Sequence, residues 1–206
     1  MYKKVLIGVT IVSSLAFGAE EKKQLDMTDP TQVYSSVGTR VNGEGLIDVN
    51  VGFAMGNKVL KIDTLDGMQG AKFKGAMFKG NKGLYFSGKM KKDMQGLNLG
   101  YVHKFGVLPT LKLVPFGTLG AVNNLNETDP AVTVGLYVRG GKNQGFKYGA
   151  DIINTTLIND DHDTSNNTTL EVYVGYQYKT HLVQVGADND NKDEDFLPYI
   201  SYKLAF

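Results

Sequence analysis

The chain of 206 residues has no cysteine, no tryptophan and only 5 prolines. Without cysteine there are no disulfides, thiolate metal sites or thiol nucleophiles. Charge is also nearly absent as a net quantity. The 22 Lys and Arg residues stand against 21 Asp and Glu, leaving +1 and a pI of 7.8. That excludes the basic footprint that nucleic-acid binding needs. Beyond the first turns of the chain, no apolar run approaches the roughly 18–20 residues of a membrane-spanning helix. Any membrane insertion of the mature chain must then be as a closed barrel, in which strands satisfy one another's backbone groups. What is present is glycine, 25 residues, and tyrosine, 11 residues, with little proline to interrupt them. That balance suits long antiparallel strands better than disorder.

The amino end has three parts: the cationic Lys3-Lys4, an apolar run from Val5 to Phe17, and the small residues Gly18 and Ala19 ahead of Glu20-Glu21-Lys22-Lys23. This is the layout of a cleavable secretory signal, with residues 1–18 removed. A polar, flexible lead-in is expected over 19–31, and the folded domain over 32–206.

From Gln32 onward, segments of alternating polarity are separated by Gly, Asn, Asp and Lys clusters. In Gly45–Met55, Ile47, Val49, Val51, Phe53 and Met55 face one way, and Asp48, Asn50, Gly52 and Ala54 the other. Leu170–Lys179 repeats the pattern, with Leu170, Val172, Val174, Tyr176 and Tyr178 opposite Glu171, Tyr173, Gly175, Gln177 and Lys179. Period two over such lengths reads as strands with two different faces. Twelve candidate strands result, with ten or eight as alternatives. Alternation alone also fits a soluble β-sandwich or barrel exported to the periplasm.

The last stretch, Leu197–Phe206, places Ile200, Tyr202, Leu204 and Phe206 on one face. It resembles the carboxyl-terminal signature strand of bacterial outer-membrane β-barrels, which ends in an aromatic residue. That resemblance implies recognition of these four residues by the barrel-assembly machinery. Counting strands back from Phe206, taken as periplasmic, puts the short turns on one side. The three long polar segments, 123–130, 158–168 and 188–195, fall on the other, which is the asymmetry of outer-membrane barrels. The expected fold is therefore all-β: a transmembrane, antiparallel, up-and-down β-barrel in the bacterial outer membrane, monomeric, in contact with lipid and lipopolysaccharide. With no tryptophan, the interfacial aromatic positions fall to Tyr101, Phe105, Tyr176, Tyr178, Tyr199, Tyr202 and Phe206.

Gly83–Gly88, Gly96–Tyr101, Glu171–Tyr176 and Pro198–Phe206 together resemble the YfaZ-like group of small Gram-negative outer-membrane proteins. The likeness covers roughly the last 125 residues and implies no catalytic residues. The lysine content and the missing tryptophan depart from that group.

Polar faces pointed inward make a lumen set. Its basic members are Arg40, Lys61, Lys72, Lys74, Lys89, Lys104, Lys112, Arg139, Lys147, Lys179 and Lys203, and its acidic members Asp48, Asp63, Asp151 and Glu171. They read either as a mixed-charge network filling a narrow barrel or as a cationic passage favouring small anions. Asp188, Asp190 and Asp193 are weak candidates for a hard cation, although Lys192 opposes one, and no metal or cofactor is expected. His162, among Asp160, Asp161 and Asp163, is similar to the Asp–His arrangements of omptin proteases. A solvated loop tip accounts for it equally, and no enzyme is expected. The leading reading is a structural or narrow-pore role. The alternatives are a surface binding protein (an adhesin or receptor) acting through the long loops, and then a hydrolase.

Overall fold

Every alternating segment becomes a strand in the computed structural model, which describes residues 25–124, 127–158, 164–189 and 196–206. In chain order these are β1 (Ser36–Asn42), β2 (Ile47–Met55), β3 (Lys58–Leu65), β4 (Gly70–Lys79), β5 (Lys82–Lys91), β6 (Met94–His103), β7 (Phe105–Leu108), β8 (Leu111–Asn124), β9 (Glu127–Gly141), β10 (Gly145–Ile158), β11 (Thr164–Tyr178), β12 (His181–Asp188) and β13 (Leu197–Ala205). Except for β6 and β7, consecutive strands pair antiparallel, and β1 pairs with β13 to close the ring. β7 carries β6 past Lys104 along the same partner, β8, so the wall has twelve positions.

The hairpins at one end are tight. Gly56 and Gly80 take φ of +62° and +65° as the first residues of Gly-Asn turns, a backbone region glycine enters without steric cost. The connections at the other end are longer or lead out of longer strands. There the structure departs from the sequence reading. Residues 123–124 and 127–130 are strand: β8 and β9 stay paired as far as Asn124 and Glu127. β11 starts at Thr164, so most of 158–168 is strand as well. Alternating Thr and Asn side chains support this polar extension. Asn154 Nδ2 donates to Thr168 Oγ1 at 2.9 Å, and Thr156 Oγ1 to Asn166 Oδ1 at 2.6 Å. Polar residues on both faces conceal a strand from a reading based on alternation.

The two faces of the wall are inverted relative to a water-soluble protein. Leu119, Leu99 and Leu97 are 69%, 63% and 60% exposed on the outside, whereas Lys147, Gln177 and Arg139 are 0%, 1% and 7% exposed inside. A ten-residue strand such as β5, rising about 3.3 Å per residue and tilted about 40°, spans an apolar band about 25 Å tall. Ile200, Tyr202 and Phe206 are exposed on this outer surface, and Leu204 shares their face.

Outward aromatic residues gather at the short-turn rim: Tyr101, Phe105, Phe146, Tyr148, Tyr176, Tyr178, Tyr202 and Phe206. The interfacial aromatics expected from the sequence thus lie at this one rim, except for Tyr199, which is a correction. Its ring is buried in the lumen and its phenol donates to Glu171. In mid-wall, the Phe86 ring lies across Gly75 and the Phe73 ring across Gly88, in reciprocal cross-strand pairs.

Part of the lumen is filled. Val59, Ala76, Phe78, Tyr85, Val102, Val114, Phe116 and Tyr137 form an apolar cluster inside β3–β9. Phe116 stacks on Tyr137 at 5.0 Å and meets Tyr85 at 5.3 Å.

A plugged, ion-lined lumen as the candidate site

The segment before β1 folds into the short-turn end of the barrel. Asp26, Met27, Thr28, Asp29, Thr31 and Tyr34 are all buried there. Asp26-Met27-Thr28-Asp29-Pro30-Thr31 is a tandem Asp-x-Thr repeat, and each copy closes an Asx turn. Asp26 Oδ1 accepts from the Thr28 amide and hydroxyl, at 3.2 and 2.7 Å. Asp29 Oδ1 does the same with Thr31, at 2.9 and 2.6 Å.

The remaining carboxylate capacity faces lysines of the wall. Lys147 Nζ on β10 lies 2.6 Å from Asp26 Oδ1, and Lys112 Nζ on β8 lies 2.7 Å from Asp26 Oδ2. Lys112 also reaches Asp29 Oδ2 at 3.1 Å, and Lys104, between β6 and β7, reaches it at 3.5 Å. The wall reads the plug's backbone too. Gln177 Oε1 accepts from the Met27 amide at 2.9 Å, and its Nε2 donates to the Leu25 carbonyl at 2.6 Å. Arg139 Nε donates to the Thr28 carbonyl at 2.9 Å, and the Tyr34 hydroxyl to the Met27 carbonyl at 2.6 Å. Met27 and Tyr34 pack with Leu182 and Ala205.

Burial alone raises the Asp26 carboxyl. Hydrogen bonds from Lys112, Lys147 and Thr28 outweigh it and hold the group below its ordinary 3.8. Asp29 is likewise raised by burial and ends below 3.8, through its Thr31 bonds and the charges of Lys112 and Lys104. Both carboxylates are therefore ionised at neutral pH.

Above the plug lie two adjoining cavities of about 230 and 200 Å³. The first is lined by Arg40, Asp48, Asp63, Lys72, Glu171 and Asp188, among others. The second ends on Met27, Thr28 and Pro30. Both touch Asp63, Lys74, Asp151, Glu171, Gln184 and Lys203. The cavities thus meet at a charged waist, and the plug is the floor of the lower one. Arg139 forms a two-pronged pair with Asp151, one prong at 2.9 Å, between the rings of Tyr137 and Tyr173. Arg40 pairs with Asp188 and lies 3.9 Å from Glu171, with its guanidinium 3.7 Å over the Tyr199 ring. Lys61 faces the Tyr34 ring and Lys74 the Tyr137 ring, at 5.3 and 5.9 Å.

Most of the lumen set read from the sequence therefore faces inward: Arg40, Asp48, Lys61, Asp63, Arg139, Asp151 and Glu171 line the two cavities, and Lys89 lines a smaller one of about 50 Å³ beside Arg40 and Asp48. Lys112 and Lys147 hold the plug. Lys179 is a correction. It lies beyond β11 in a turn at φ +53° and is exposed, because the turn ends the alternation that assigned it inward. The polar lead-in is a second correction. Over residues 25–31 it is a folded cap, because local Asx turns and the wall lysines satisfy its polar groups. The signal that identifies it is the Asp-x-Thr repeat.

Of the weak cation candidates, Asp188 is paired with Arg40, and Asp190 and Asp193 lie outside the described residues. No group of three or more candidate ligands occurs among the described residues. His162 is also outside them. His103 stacks on Phe105 at 4.2 Å and His181 Nδ1 meets the Tyr202 hydroxyl at 2.7 Å, both at the short-turn rim.

No family model and no curated protein sequence matches the chain. Among solved structures, a NanC porin aligns at 9% identity with a TM-score of 0.57, over 84% of this chain and 98% of that one. OmpT, an outer membrane protein of Vibrio cholerae, in its trimer form, aligns at 8% identity with a TM-score of 0.47, over 94% of this chain and 74% of that one. A further porin aligns at 14% identity with a TM-score of 0.42, over 78% and 62%. At 9% identity, the likeness to the NanC porin is one of fold.

Proposed function

We propose that the chain is an outer-membrane barrel with a porin-like role, a narrow passage for small hydrophilic solutes that its own amino-terminal segment holds shut at rest. The observation that carries this is the pair of ion-lined cavities ending on Met27, Thr28 and Pro30. The apolar exterior supports residence in lipid, and the strand motifs that resemble those of YfaZ-like proteins agree with a small outer-membrane barrel. Export by a cleaved signal, assembly through the Phe206 strand and a monomeric state belong to the same reading. Lys74 and Lys203 at the waist, and Lys61 in the lower cavity, pair with no described carboxylate at salt-bridge distance, which favours anions along the passage.

Conductance across planar bilayers tests the role. The full chain is expected to open rarely, and a variant lacking residues 25–31 to carry a steady current that favours chloride over potassium. If that variant is folded and silent, the passage fails and a structural role remains. A second reading rests on the polar extension of β10 and β11, whose exposed Thr and Asn ladder offers a surface to a binding partner. Deleting that extension would abolish binding and leave conductance unchanged.

A further inference from the structure

The five charged groups at the plug form an alternating row: Lys147, Asp26, Lys112, Asp29, Lys104. All three cations belong to the barrel wall and both anions to the plug. Among the described residues, no wall carboxylate lies within salt-bridge distance of these lysines, and Asp151, farther along the wall, is taken by Arg139. Lys147 has no exposed surface with the plug in place. When the plug leaves, the wall therefore presents three ammonium groups that no wall anion neutralises. Such a cluster is costly unless an anion replaces the one lost.

We infer that Lys104, Lys112 and Lys147 form a binding site for a small dicarboxylate, and that Asp26 and Asp29 occupy it as an internal competitor. Two carboxylates flank one ammonium, Lys112, at 2.7 and 3.1 Å, and each has a further lysine on its far side. A single tetrahedral anion reaches one of these positions. A short-chain dicarboxylate reaches both at once, as the plug does. Gln177 and Arg139, freed from the Met27 amide and the Leu25 and Thr28 carbonyls, add polar contacts to such a ligand. Ligand and plug exclude each other, so a dicarboxylate arriving from the short-turn side both fills the site and unseats the plug. The inference rests on the proposed role only in treating the plug as displaceable.

Succinate is the probe, and the full chain refolded in detergent is the sample. By calorimetry, the Asp26→Asn/Asp29→Asn variant is expected to bind one succinate, at least tenfold more tightly than the unaltered chain and tenfold more tightly than it binds acetate. Adding Lys112→Gln should remove that binding. Equal affinity with and without the plug carboxylates overturns the competition, and no succinate binding by the variant overturns the site. If the variant does not fold, as read by heat-modifiable migration, a second measurement decides. The chain has no cysteine, so Met27→Cys places a unique thiol in the plug. Its labelling by a maleimide should accelerate at least tenfold with succinate and not with sodium chloride of equal ionic strength, and an unchanged rate overturns the inference. These binding readouts do not depend on conductance. A silent barrel that binds succinate refutes the passage alone, and a conducting barrel that does not bind it refutes the site alone.

Discussion

Lys147 Nζ donates to Asp26 Oδ1 at 2.6 Å, joining residues 121 positions apart in the chain. The lysine is fully buried and the aspartate is 3% exposed. One contact thus couples the barrel wall to the segment that closes it, and the two partners are not equivalent.

Asp26→Ala is expected to unseat the plug more than Lys147→Met does. The alanine leaves Lys147 buried without an anion, costing the seated state about 3–5 kcal/mol. The methionine fills similar volume and leaves Asp26 on Lys112, costing less than about 2 kcal/mol. The labelling rate of the Met27→Cys reporter in each background measures both. The reverse order would mean that Lys147, not the plug carboxylate, is the group whose loss releases the segment.

Acid should release the plug. Asp26 and Asp29 both titrate below 3.8 when seated, and once released they return toward 3.8. Their stabilisation is complete above 3.8 and is lost as pH falls through the lowered values. Conductance should be flat between pH 5 and 8 and rise only below pH 4. A transition between pH 6 and 7 would point to a group other than these carboxylates.

Leu99→Arg tests the outer surface. Leu99 is 63% exposed on β6. In water that substitution is close to neutral, within about 0.5 kcal/mol. In the middle of a lipid-facing band it costs about 2–4 kcal/mol. Urea unfolding from phospholipid vesicles gives the value, and a change below about 0.5 kcal/mol would refute lipid contact there.

Gly75→Ala is expected to destabilise the wall by about 1–3 kcal/mol. A β-carbon at Gly75 would stand 2.1 Å from the nearest Phe86 ring atom, so the ring must move. Phe86→Ala in the same chain should remove most of that penalty, and equal penalties in both backgrounds would exclude the clash as its cause.

Strand content and the inward face were legible because each depends on the parity of a residue within its own segment. Arg40, Lys61, Asp151 and Glu171 could be assigned inward without knowing a single partner. Lys179 was misread where parity stops, at a turn. The strand ends at 123–124, 127–130 and 164–169 were missed because a segment polar on both faces carries no alternation to detect. Tyr199 was read as an interfacial aromatic because its residue type outweighed its parity, although the outward Ile200 and Tyr202 that follow it are of the opposite parity.

By itself, the sequence determined antiparallel strands with one apolar and one charged face, since period two admits few other solutions; that they close into a wall with the apolar face outside is a property of the tertiary structure. Only the tertiary structure decided that residues 25–31 close the lumen. Asp26 and Asp29 find Lys104, Lys112 and Lys147 through the curvature of a closed wall. That curvature brings β6, β8 and β10 around one end of the lumen. Contacts made across a barrel follow from ring closure, which no local pattern in the chain encodes.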